Sequence, residues 1–402
     1  MIFLYLLMLF YQTGQFVDTH FFFDKINLTI SIITVIIWFC VTNYFLTKKS
    51  VRMYNFLRVN LILAFVRLNF FQFFILFELS ILPIFFIIFH QGKQIERLNA
   101  GVYMIIYTLL SSTPLLVLIF QIKFPLSVWR IRELSLNSWN FRIIFMIGFL
   151  AFLTKLPIFT LHIWLPKAHV EAPIYGSIVL ARVMLKLGAY GLIKVLLIFW
   201  TWKIYKRRVI GFLILGRILP SIICVFSGDL KVLIALSSVG HMTFLVSSIF
   251  FCYIETHSRF LILTLTHGFI SSNIFYLLNC SYERTHTRRF FFNKVHSFCG
   301  VISSFVLIIM SINLGVPPFS TFFREMEFCI SFFTYRILLI LPVFFHIMIR
   351  TVYSLLFFYN FNSKIFGFNL GRNLNVREWV NFFILSIFLF MITLNVRYYR
   401  IM

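Results

Sequence analysis

Long apolar runs separated by short polar connectors extend along almost the entire chain. A membrane-spanning helix needs about 20 mostly apolar residues, and about a dozen runs approach that length. None has the alternation of a barrel strand, and backbone groups in lipid must be hydrogen-bonded internally, so the runs are predicted to be helices. They lie near residues 2–12, 26–46, 56–70, 71–90, 102–120, 141–160, 173–200, 209–226, 230–253, 259–280, 298–316, 318–333, 335–360 and 379–396. The pattern predicts an all-α polytopic membrane protein with about 13 transmembrane helices.

Prolines interrupt the apolar pattern between two lysines. Pro157, Pro166 and Pro173 fall between Lys155 and Lys186. Proline removes a hydrogen bond from a helix, so a helix is predicted to break here and expose carbonyl groups. A charge within an apolar run costs at least about 2.5 kcal/mol, and such residues commonly serve transport, proton relay or pairing. The segment is therefore a candidate for a proton-conducting site.

The composition supports the membrane class. Hydrophobic residues make up 61% of the 402 residues and the mean hydropathy is +0.94, which leaves little material for a soluble domain. The formal net charge of +24 would suit nucleic-acid binding, but the basic residues lie in short connectors such as 206–208. Contact with anionic lipid such as cardiolipin explains them better. No nucleic-acid partner is expected.

No motif predicts a metal or cofactor in this chain. The cysteines show no C-x-x-C spacing, and the glycine-rich nucleotide-binding motifs are absent. The N-terminal residues lack the features of a secretory signal or transit peptide and are predicted to begin a membrane helix. The 56 phenylalanines indicate a thymine-rich genome and suggest an organelle-encoded protein.

Only 12 carboxylates occur, so each position is informative. Glu78 lies inside an apolar run and must be protonated or paired with a cation from another helix. Asp229 opens an apolar run and fits an N-cap or first-turn acid. Glu171 lies in the proline-broken segment, and Glu325 and Glu327 follow the Pro-Pro pair of a later run. The carboxylates in or beside polar connectors are predicted to be solvated: Asp18, Asp24, Glu96, Glu133, Glu255, Glu283 and Glu378.

The two lysines complete a candidate relay. Lys155 ends an apolar run, and Lys186 lies near the middle of the run 173–200, too deep to reach an interface. Because a nearby carboxylate restores the proton affinity that burial removes, a lysine–glutamate pair can be a proton site under electrostatic control. Histidines in or near apolar runs could bridge such sites through water. These histidines are His162, His169, His241 and His267. The set predicts a polar path through the middle of the membrane.

A weak internal repeat accompanies this set. The residues Pro157 to Thr160 are echoed by Pro317 to Ser320 at an offset of 160. Interrupted helices in two halves are typical of inverted-repeat transporters. The predicted organisation is a single transmembrane domain, 1–402, with N-terminal peripheral helices in 1–55, a first repeat in 56–200 broken near 155–173, a second repeat in 209–360 broken near 315–327, and a C-terminal helix in 379–396.

Several motifs together resemble one family. They are F-E-L-S-I-L-P (77–83), E-R-L-N-A-G (96–101), K-L-P-I-F-T-L-H-I-W-L-P-K-A-H-V-E-A-P (155–173), L-K-L-G-A-Y-G (185–191), D-L-K-V-L-I-A-L-S-S-V-G-H-M (229–242), H-G-F-I-S-S (267–272) and Y-E-R-T-H-T-R (282–288). In this order they resemble the chain 4 family of mitochondrial NADH-ubiquinone oxidoreductase, the antiporter-like subunits in the membrane arm of respiratory complex I. The sister chains 2 and 5 carry lysine where Glu325 stands, which favours chain 4.

The resemblance implies a function and a setting. It implies two inverted five-helix repeats, each with a broken helix, in a proton-translocating subunit of NADH:ubiquinone reductase. It implies the mitochondrial inner membrane as the location and the neighbouring chains 2 and 5 as partners. NAD, FMN, iron–sulfur clusters and ubiquinone are expected in other subunits of the complex, with no redox centre in this chain.

The resemblance also assigns roles to residues. Glu78 resembles the carboxylate that pairs with Lys155, Lys186 the central relay lysine, and Glu325 the acid on the second broken helix that faces the exit. The four histidines fall at family histidine positions, and His241 is expected to be a relay member. The expected supporting residues are His162, His169, His267, Glu171 and Asp229.

Two arginines depart from the family, which has small residues at these positions. Arg182, one turn before Lys186, would lower the proton affinity of that lysine, and Arg324 would hold Glu325 ionised. Alternatively, variant organellar codons were translated under the wrong code and these positions carry Ser or Gly. Peptide mass spectrometry that finds Arg at 182 would exclude this alternative.

Two other functional interpretations stay open. A related multi-subunit cation/proton antiporter would transport sodium or potassium without a redox arm. A passive structural subunit would use the polar residues for helix packing alone, so that Lys186→Met and Glu78→Gln would lower assembly and leave pumping per complex unchanged.

Overall fold

The structure is a computed structural model that describes residues 48–67, 69–92, 95–121, 148–196, 206–249, 254–289, 300–317, 319–335, 340–362 and 376–394, with isolated residues between 16 and 35. The described residues are mostly helical, as the apolar pattern predicts. One exception is a short antiparallel pairing of β1 (Phe16–Val17) with β2 (Phe22–Phe23), in which Phe16 pairs with Phe23. The predicted N-terminal peripheral helices fall largely outside the described residues.

The helices follow the apolar runs. They are α1 (Lys48–Val66), α2 (Phe70–Leu79), α3 (Ile81–Gln91), α4 (Arg97–Gln121), α5 (148–155), α6 (Trp164–Glu171), α7 (Ile174–Val179), α8 (Leu185–Leu196), α9 (Lys206–Phe226), α10 (Leu230–Ile249), α11 (Ile254–Thr285), α12 (Gly300–Leu314), α13 (Ser320–Tyr335), α14 (Ile340–Asn362) and α15 (Val376–Leu394). A π-helical turn, Leu180–Met184, joins α7 to α8.

Four described segments are long and apolar enough to cross a membrane: Phe70–Gln91, Arg97–Phe120, Leu230–Ile249 and Leu341–Tyr359. Two shorter apolar helices, Ile210–Phe226 and Ser303–Leu314, come close to that length. These spans support a membrane protein, while the predicted number of about 13 spanning helices exceeds what the described residues provide.

The chain divides into two compact units. The first comprises the described residues of Met1–Lys155 and Val183–Thr201, and the second those of Leu156–Arg182 and Trp202–Ile401. The boundaries fall directly after Lys155 and within the π-helical turn before Lys186. Both lysines therefore belong to the first unit.

Aromatic rings form the core of the first unit. Tyr190 on α8 packs edge-on against Phe65 and Phe73, at 5.6 and 5.8 Å between ring centroids. Phe77 packs in the same manner on Phe152, at 5.5 Å. A Cβ atom at Gly191 would lie 2.2 Å from the Phe152 ring, so only glycine allows α8 to approach α5 this closely. This approach fixes α8 beside the end of α5.

A break in helical structure follows Lys155. Helix α5 ends at this residue, and α6 begins only at Trp164. Pro157 has no N–H to donate, which prevents the helix from continuing, and Thr160 takes a positive φ of 88°. Pro173 follows the C-terminal end of α6 and directly precedes the next helix, α7.

Helix α10 forms the centre of the second unit. Nearly all its residues are buried, because it packs against α6, α9 and α11. Helix α14 packs against α9 and α12, and α15 packs against α11. Because neighbouring helices cover α10, the polar residues that it carries lie inside the unit.

A second break separates α12 from α13. Gly315 has a φ of +66°, which L side chains rarely adopt, and its N–H bonds the carbonyl of Ile312 at 3.1 Å. Helix α13 resumes at Ser320 and carries Glu325 one and a half turns later. The break therefore brings a backbone turn close to this acid.

Candidate functional site

Glu78 and Lys155 form a buried ion pair in the first unit. The Lys155 ammonium lies 3.8 Å from Glu78 Oε1, and the side chains are 4% and 16% exposed, respectively. The ammonium donates a hydrogen bond of 2.6 Å to the Phe77 carbonyl and lies 2.9 Å from the centre of the Phe77 ring. Neither Glu78 oxygen has a hydrogen-bond partner among the described residues. The two charges are in electrostatic contact, and the contacts that fix the geometry of the pair are those that the lysine makes with Phe77.

Lys186 is the second buried lysine of the first unit. It is 2% exposed and is the second residue of α8, directly after the π-helical turn. Such turns disturb the regular hydrogen-bond ladder and often lie at functional sites. The glycine contact at Gly191 holds the same helix against the ring of Phe152 on α5. The first unit thus contains three of the predicted relay residues, Glu78, Lys155 and Lys186.

Glu325 pairs with an arginine that the sequence analysis did not consider. Arg350 Nη1 donates to both carboxylate oxygens of Glu325 at 2.8 Å, and the arginine side chain is 1% exposed. Arg350 Nη2 donates to the Asn313 carbonyl, near the end of α12. Because a guanidinium has a fixed planar set of donors, it can hold a carboxylate and a carbonyl together. The charge of Arg350 inside the apolar run 335–360 is a sequence feature that could have indicated this pairing.

The predicted role of Arg324 is wrong. Its Nη1 donates to Glu327 Oε2 at 3.0 Å, one turn further along α13, and the carboxylate of Glu325 is held by Arg350 instead. Adjacent residues on a helix point in different directions, whereas residues three apart lie on one face, which explains this pairing. Glu325 therefore has a cationic partner, but from another helix.

His241 and His267 lie beside Glu325. Their ring centroids are 5.2 Å apart, and both rings line a cavity of about 20 Å³ that Glu325, Asn313 and Thr321 also line. This volume suffices for one water molecule, which needs polar partners of the kind that these residues offer. The second unit thus joins Glu325 to two of the predicted histidines around one polar cavity.

Two further buried basic residues pack near the residues that line this cavity. Arg217 on α9 is 1% exposed and lies 3.7 Å above the ring of Phe244, which itself lines the cavity. His346 on α14 is also 1% exposed. A Cβ atom at Gly240 would lie 3.5 Å from the His346 ring and 3.6 Å from the Arg217 carbonyl, so these elements are closely packed. Sequence reasoning missed both residues, although each is a polar residue inside an apolar run.

His162 and His169 occupy the broken segment. His162 is half-buried in the break and stacks on Phe159 at 5.1 Å. His169 is fully buried on α6 and stacks on Phe275 at 4.7 Å. Neither ring nitrogen of His169 has a hydrogen-bond partner among the described residues. Neither histidine is among the described residues that line the cavity beside Glu325.

The acids Glu171 and Asp229 have different surroundings. Glu171 is 8% exposed at the end of α6. Asp229 is exposed directly before α10, and its carbonyl accepts a hydrogen bond from Leu233 N–H at 3.0 Å. This position fits the predicted role at the helix start. The backbone of Asp229 also forms an isolated antiparallel β-bridge with Arg289.

Two basic side chains hold the end of α6. Lys231 donates to the carbonyls of Val170 and Ala172 at 3.3 and 3.0 Å, and Arg288 donates to the Val170 carbonyl at 3.0 Å. The last carbonyls of a helix have no partner within it, and cations are favoured there. Sequence reasoning did not single out Lys231, a third lysine at the edge of an apolar run.

The predicted solvation of Glu378 is also wrong. This residue is 4% exposed, and Arg284 Nη2 donates to its Oε2 at 2.7 Å. The pair joins the end of α11 to the start of α15. A position beside a connector does not mean exposure when another helix covers that end.

Arg182 lies within the π-helical turn. It is 1% exposed, its Nε donates to the Gly268 carbonyl at 3.4 Å, and its guanidinium lies 4.1 Å from the Phe269 ring centre. Both contacts are with α11, next to His267. The guanidinium therefore has partners within the second unit.

The described residues contain no group of three or more His, Cys, Asp or Glu side chains that could hold a metal ion. The buried chemistry consists instead of carboxylates with cations nearby and histidines. Such groups can take up and release protons, and water can connect them.

Comparisons with known proteins place this chemistry in a family. Residues 68–350 match the profile of the family described as "NADH:quinone oxidoreductase/Mrp antiporter, TM". The NADH-ubiquinone oxidoreductase chain 4 of Ceratitis capitata is 33% identical over 92% of this chain and 86% of its own length. The chain 4 of Rhipicephalus sanguineus is 35% identical over 85% of this chain and 79% of its own length, and that of Petromyzon marinus 38% identical over 72% and 65%. The resemblance to the chain 4 family is confirmed.

Solved structures share the fold. A chain of respiratory complex I from Thermus thermophilus with bound NADH matches with a TM-score of 0.86 at 18% identity, covering 98% of this chain and 89% of that one. A chain of the Mrp complex from Dietzia sp. DQ12-45-1b matches with a TM-score of 0.76 at 14% identity, covering 86% and 67%. The chain described here belongs to the NADH:quinone oxidoreductase/Mrp antiporter transmembrane family.

Proposed function

We propose that this chain is a proton-translocating, antiporter-like subunit of respiratory complex I, the enzyme that couples NADH:ubiquinone electron transfer to proton pumping. Membership of the family and the extensive similarity to chain 4 proteins support this function. The observation that carries it furthest is the buried Glu78–Lys155 pair. The Lys155 ammonium is 4% exposed, and a charge at such a place in a membrane protein is costly and usually serves a function.

The proposed relay uses Glu78, Lys155 and Lys186 in the first unit, and His241 and Glu325 in the second. His267 lies beside His241 and shares its cavity, so it is a supporting member. His162, His169 and Glu171 remain proposed supporting residues of the relay, and Asp229 is proposed to support the start of α10. Transfer between the two units is part of the proposal and rests on the family's function.

The proposed chemistry depends on switching a lysine's charge. When Glu78 is ionised and close, it favours a protonated Lys155, and when Glu78 is neutralised or displaced, the buried ammonium is favoured less. The loose geometry supports this step, since the Lys155 ammonium lies 3.8 Å from Glu78 Oε1 and donates its hydrogen bond to the Phe77 carbonyl. A proton released in this way would pass to the next basic group, for which Lys186 is the candidate.

The proposed setting follows from the relatives. It is the mitochondrial inner membrane, with the antiporter-like chains 2 and 5 as neighbours, anionic lipid such as cardiolipin at the basic connectors, and NAD, FMN, iron–sulfur clusters and ubiquinone bound by other subunits. About 13 transmembrane helices in two inverted five-helix repeats complete the proposed architecture.

The experiment that tests this function is blue-native electrophoresis of solubilised mitochondrial membranes, followed by an NADH activity stain and mass spectrometry of the active band. Peptides of this chain in the large NADH-oxidising band would support the proposal. Their presence only in a smaller band without NADH activity would contradict it.

A second candidate is a cation/proton antiporter subunit that works without NADH. The fold similarity to the Mrp complex chain and the family description favour it as the alternative. It predicts transport that depends on sodium or potassium by a complex that lacks the redox arm. Proton transport that is unchanged when these ions are removed would exclude it.

A further inference from the structure

One buried residue near the cavity, Arg350, is not part of the proposed relay. Arg350 donates two hydrogen bonds of 2.8 Å to Glu325 and a third to the Asn313 carbonyl. The arginine belongs to α14, the acid to α13 and the carbonyl to α12, so one guanidinium joins three helices. Its side chain is 1% exposed, which excludes competition by bulk water.

The backbone is shaped for this contact. A Cβ atom at Gly315 would lie 3.2 Å from Arg350 Nη2 and 3.2 Å from Glu325 Oε2, and the residue has a φ of +66°. The conformation therefore favours glycine at the break between α12 and α13, and an added Cβ would press on both members of the pair. The break does more than end a helix, because it admits the guanidinium beside the acid.

We propose that Arg350 is a positioning residue for Glu325: it fixes the carboxylate toward the His241–His267 cavity, where this acid takes part in the proposed relay. The inference rests on the proposed function, in which Glu325 is the acid of the second broken helix. Two charge-assisted hydrogen bonds from a planar guanidinium fix the orientation of a carboxylate, so the direction in which Glu325 faces depends on Arg350.

Other ionisable groups also act on Glu325, and a test must distinguish the effect of Arg350 from theirs. Arg217 on α9, Cys329 on α13 and Tyr353 on α14 lie within electrostatic range, and His241 on α10 and His267 on α11 line its cavity. His346 lies on α14 near Arg217, while Glu378 on α15 is paired with Arg284. Among these described groups, Arg350 is the one that hydrogen-bonds the carboxylate.

The test uses the assembled complex with Arg350→Lys, Arg350→Gln and Glu325→Gln. Proton translocation per NADH oxidised and its pH profile are measured for each. We expect Arg350→Gln to reduce translocation at least tenfold and to change the pH profile, because the carboxylate is then no longer held toward the cavity. Arg350→Lys, which retains the charge but loses the paired bonds, is expected to recover part of the rate.

Matched controls separate positioning from stability. Arg284→Gln removes the arginine, 15% exposed, of the Glu378 pair in the same unit and is expected to lower the amount of complex without moving the pH profile. Gly315→Ala disturbs the Arg350–Glu325 contact without changing any charge and is expected to act in the direction of Arg350→Lys. The double variant Glu325→Gln/Arg350→Gln is expected to translocate no less than Glu325→Gln alone.

Three outcomes would overturn the inference. If Arg350→Gln lowers only the amount of complex and leaves the pH profile in place, as Arg284→Gln does, then Arg350 is structural while the proposed function stands. If Glu325→Gln translocates protons at the full rate, both this inference and the relay fail. If peptide mass spectrometry of the purified chain finds Ser or another residue at position 350, the pair does not exist in the protein.

Discussion

Two buried ion pairs, one in each unit, hold their carboxylates in different ways. Glu78 and Glu325 have the same exposed fraction of 16%, so burial does not distinguish them. Glu325 receives two hydrogen bonds of 2.8 Å, whereas the Lys155 ammonium stays 3.8 Å from Glu78 and bonds a backbone carbonyl instead. The difference lies in the cation, because a guanidinium forms paired bonds and an ammonium is a point charge on a flexible stem.

This difference indicates two uses of buried charge. A lysine that bonds a carbonyl and lies on an aromatic ring can change its distance from the acid without losing those contacts. An arginine that joins three helices cannot leave its acid without disturbing the packing. The first arrangement suits a site whose protonation changes, and the second suits an acid whose orientation is fixed.

The largest effect that distinguishes the pairs is expected from Arg350→Ala. Removing one partner of a tight buried pair leaves an uncompensated charge and costs about 3–5 kcal/mol. Lys155→Ala is expected to cost clearly less, since the Lys155 ammonium lies 3.8 Å from Glu78 Oε1 and makes its hydrogen bond to a backbone carbonyl instead. Thermal inactivation of the solubilised complex measures both variants. Equal losses of stability would remove the distinction between the two pairs.

The sequence revealed more of the first pair than of the second. Glu78 and Lys155 each stand alone within apolar runs, which predicts buried charge that needs neutralising, and the family resemblance implied that these two residues pair. The partner of Glu325 was assigned to Arg324 because it is adjacent, yet helix geometry points adjacent side chains in different directions. The contact is instead with Arg350 of another helix, and although a break near 315–327 was predicted, the sequence did not show that it brings this arginine beside Glu325.

Burial from other helices was likewise invisible in the sequence. Glu378 was predicted to be solvated because it follows a polar connector, but Arg284 of α11 pairs with it. Arg217 and His346 were overlooked inside apolar runs, where hydropathy averages conceal one polar residue. The helices themselves were predictable because a span of apolar residues needs only local information.

A medium effect is expected from Gly191→Ala, which tests how the first pair is supported. The added methyl group would lie 2.2 Å from the Phe152 ring, and overpacking of this kind costs about 1–3 kcal/mol. Helix α8, which carries Lys186, would be displaced from α5, so translocation should fall together with thermal stability.

Gly211→Ala on α9 is the matched control for this change. A Cβ atom there meets nothing within 4 Å, and alanine is favoured over glycine in a helix by about 1 kcal/mol. The control should leave stability unchanged or raise it slightly. A loss as large as that of Gly191→Ala would mean that the helix contact is not responsible.

The smallest effect is expected from Asp229→Asn. The side chain is exposed, the helix-start hydrogen bond uses its backbone carbonyl, and asparagine is also a good residue before a helix. Stability should change by no more than about 0.5 kcal/mol, and the rate of translocation should stay the same. A large drop in translocation with normal assembly would show that Asp229 belongs to the proton path after all.

The central claim is that the buried pair of the first unit carries protons and does not merely hold helices together. Proton translocation per assembled complex, measured in proteoliposomes with Glu78→Gln, is its most direct test, and Lys186→Met serves as a second variant. The account predicts normal amounts of complex on native gels and a loss of translocation of roughly tenfold or more, with quinone reductase activity impaired in parallel. Reduced assembly with unchanged translocation per complex would contradict it and favour a structural role.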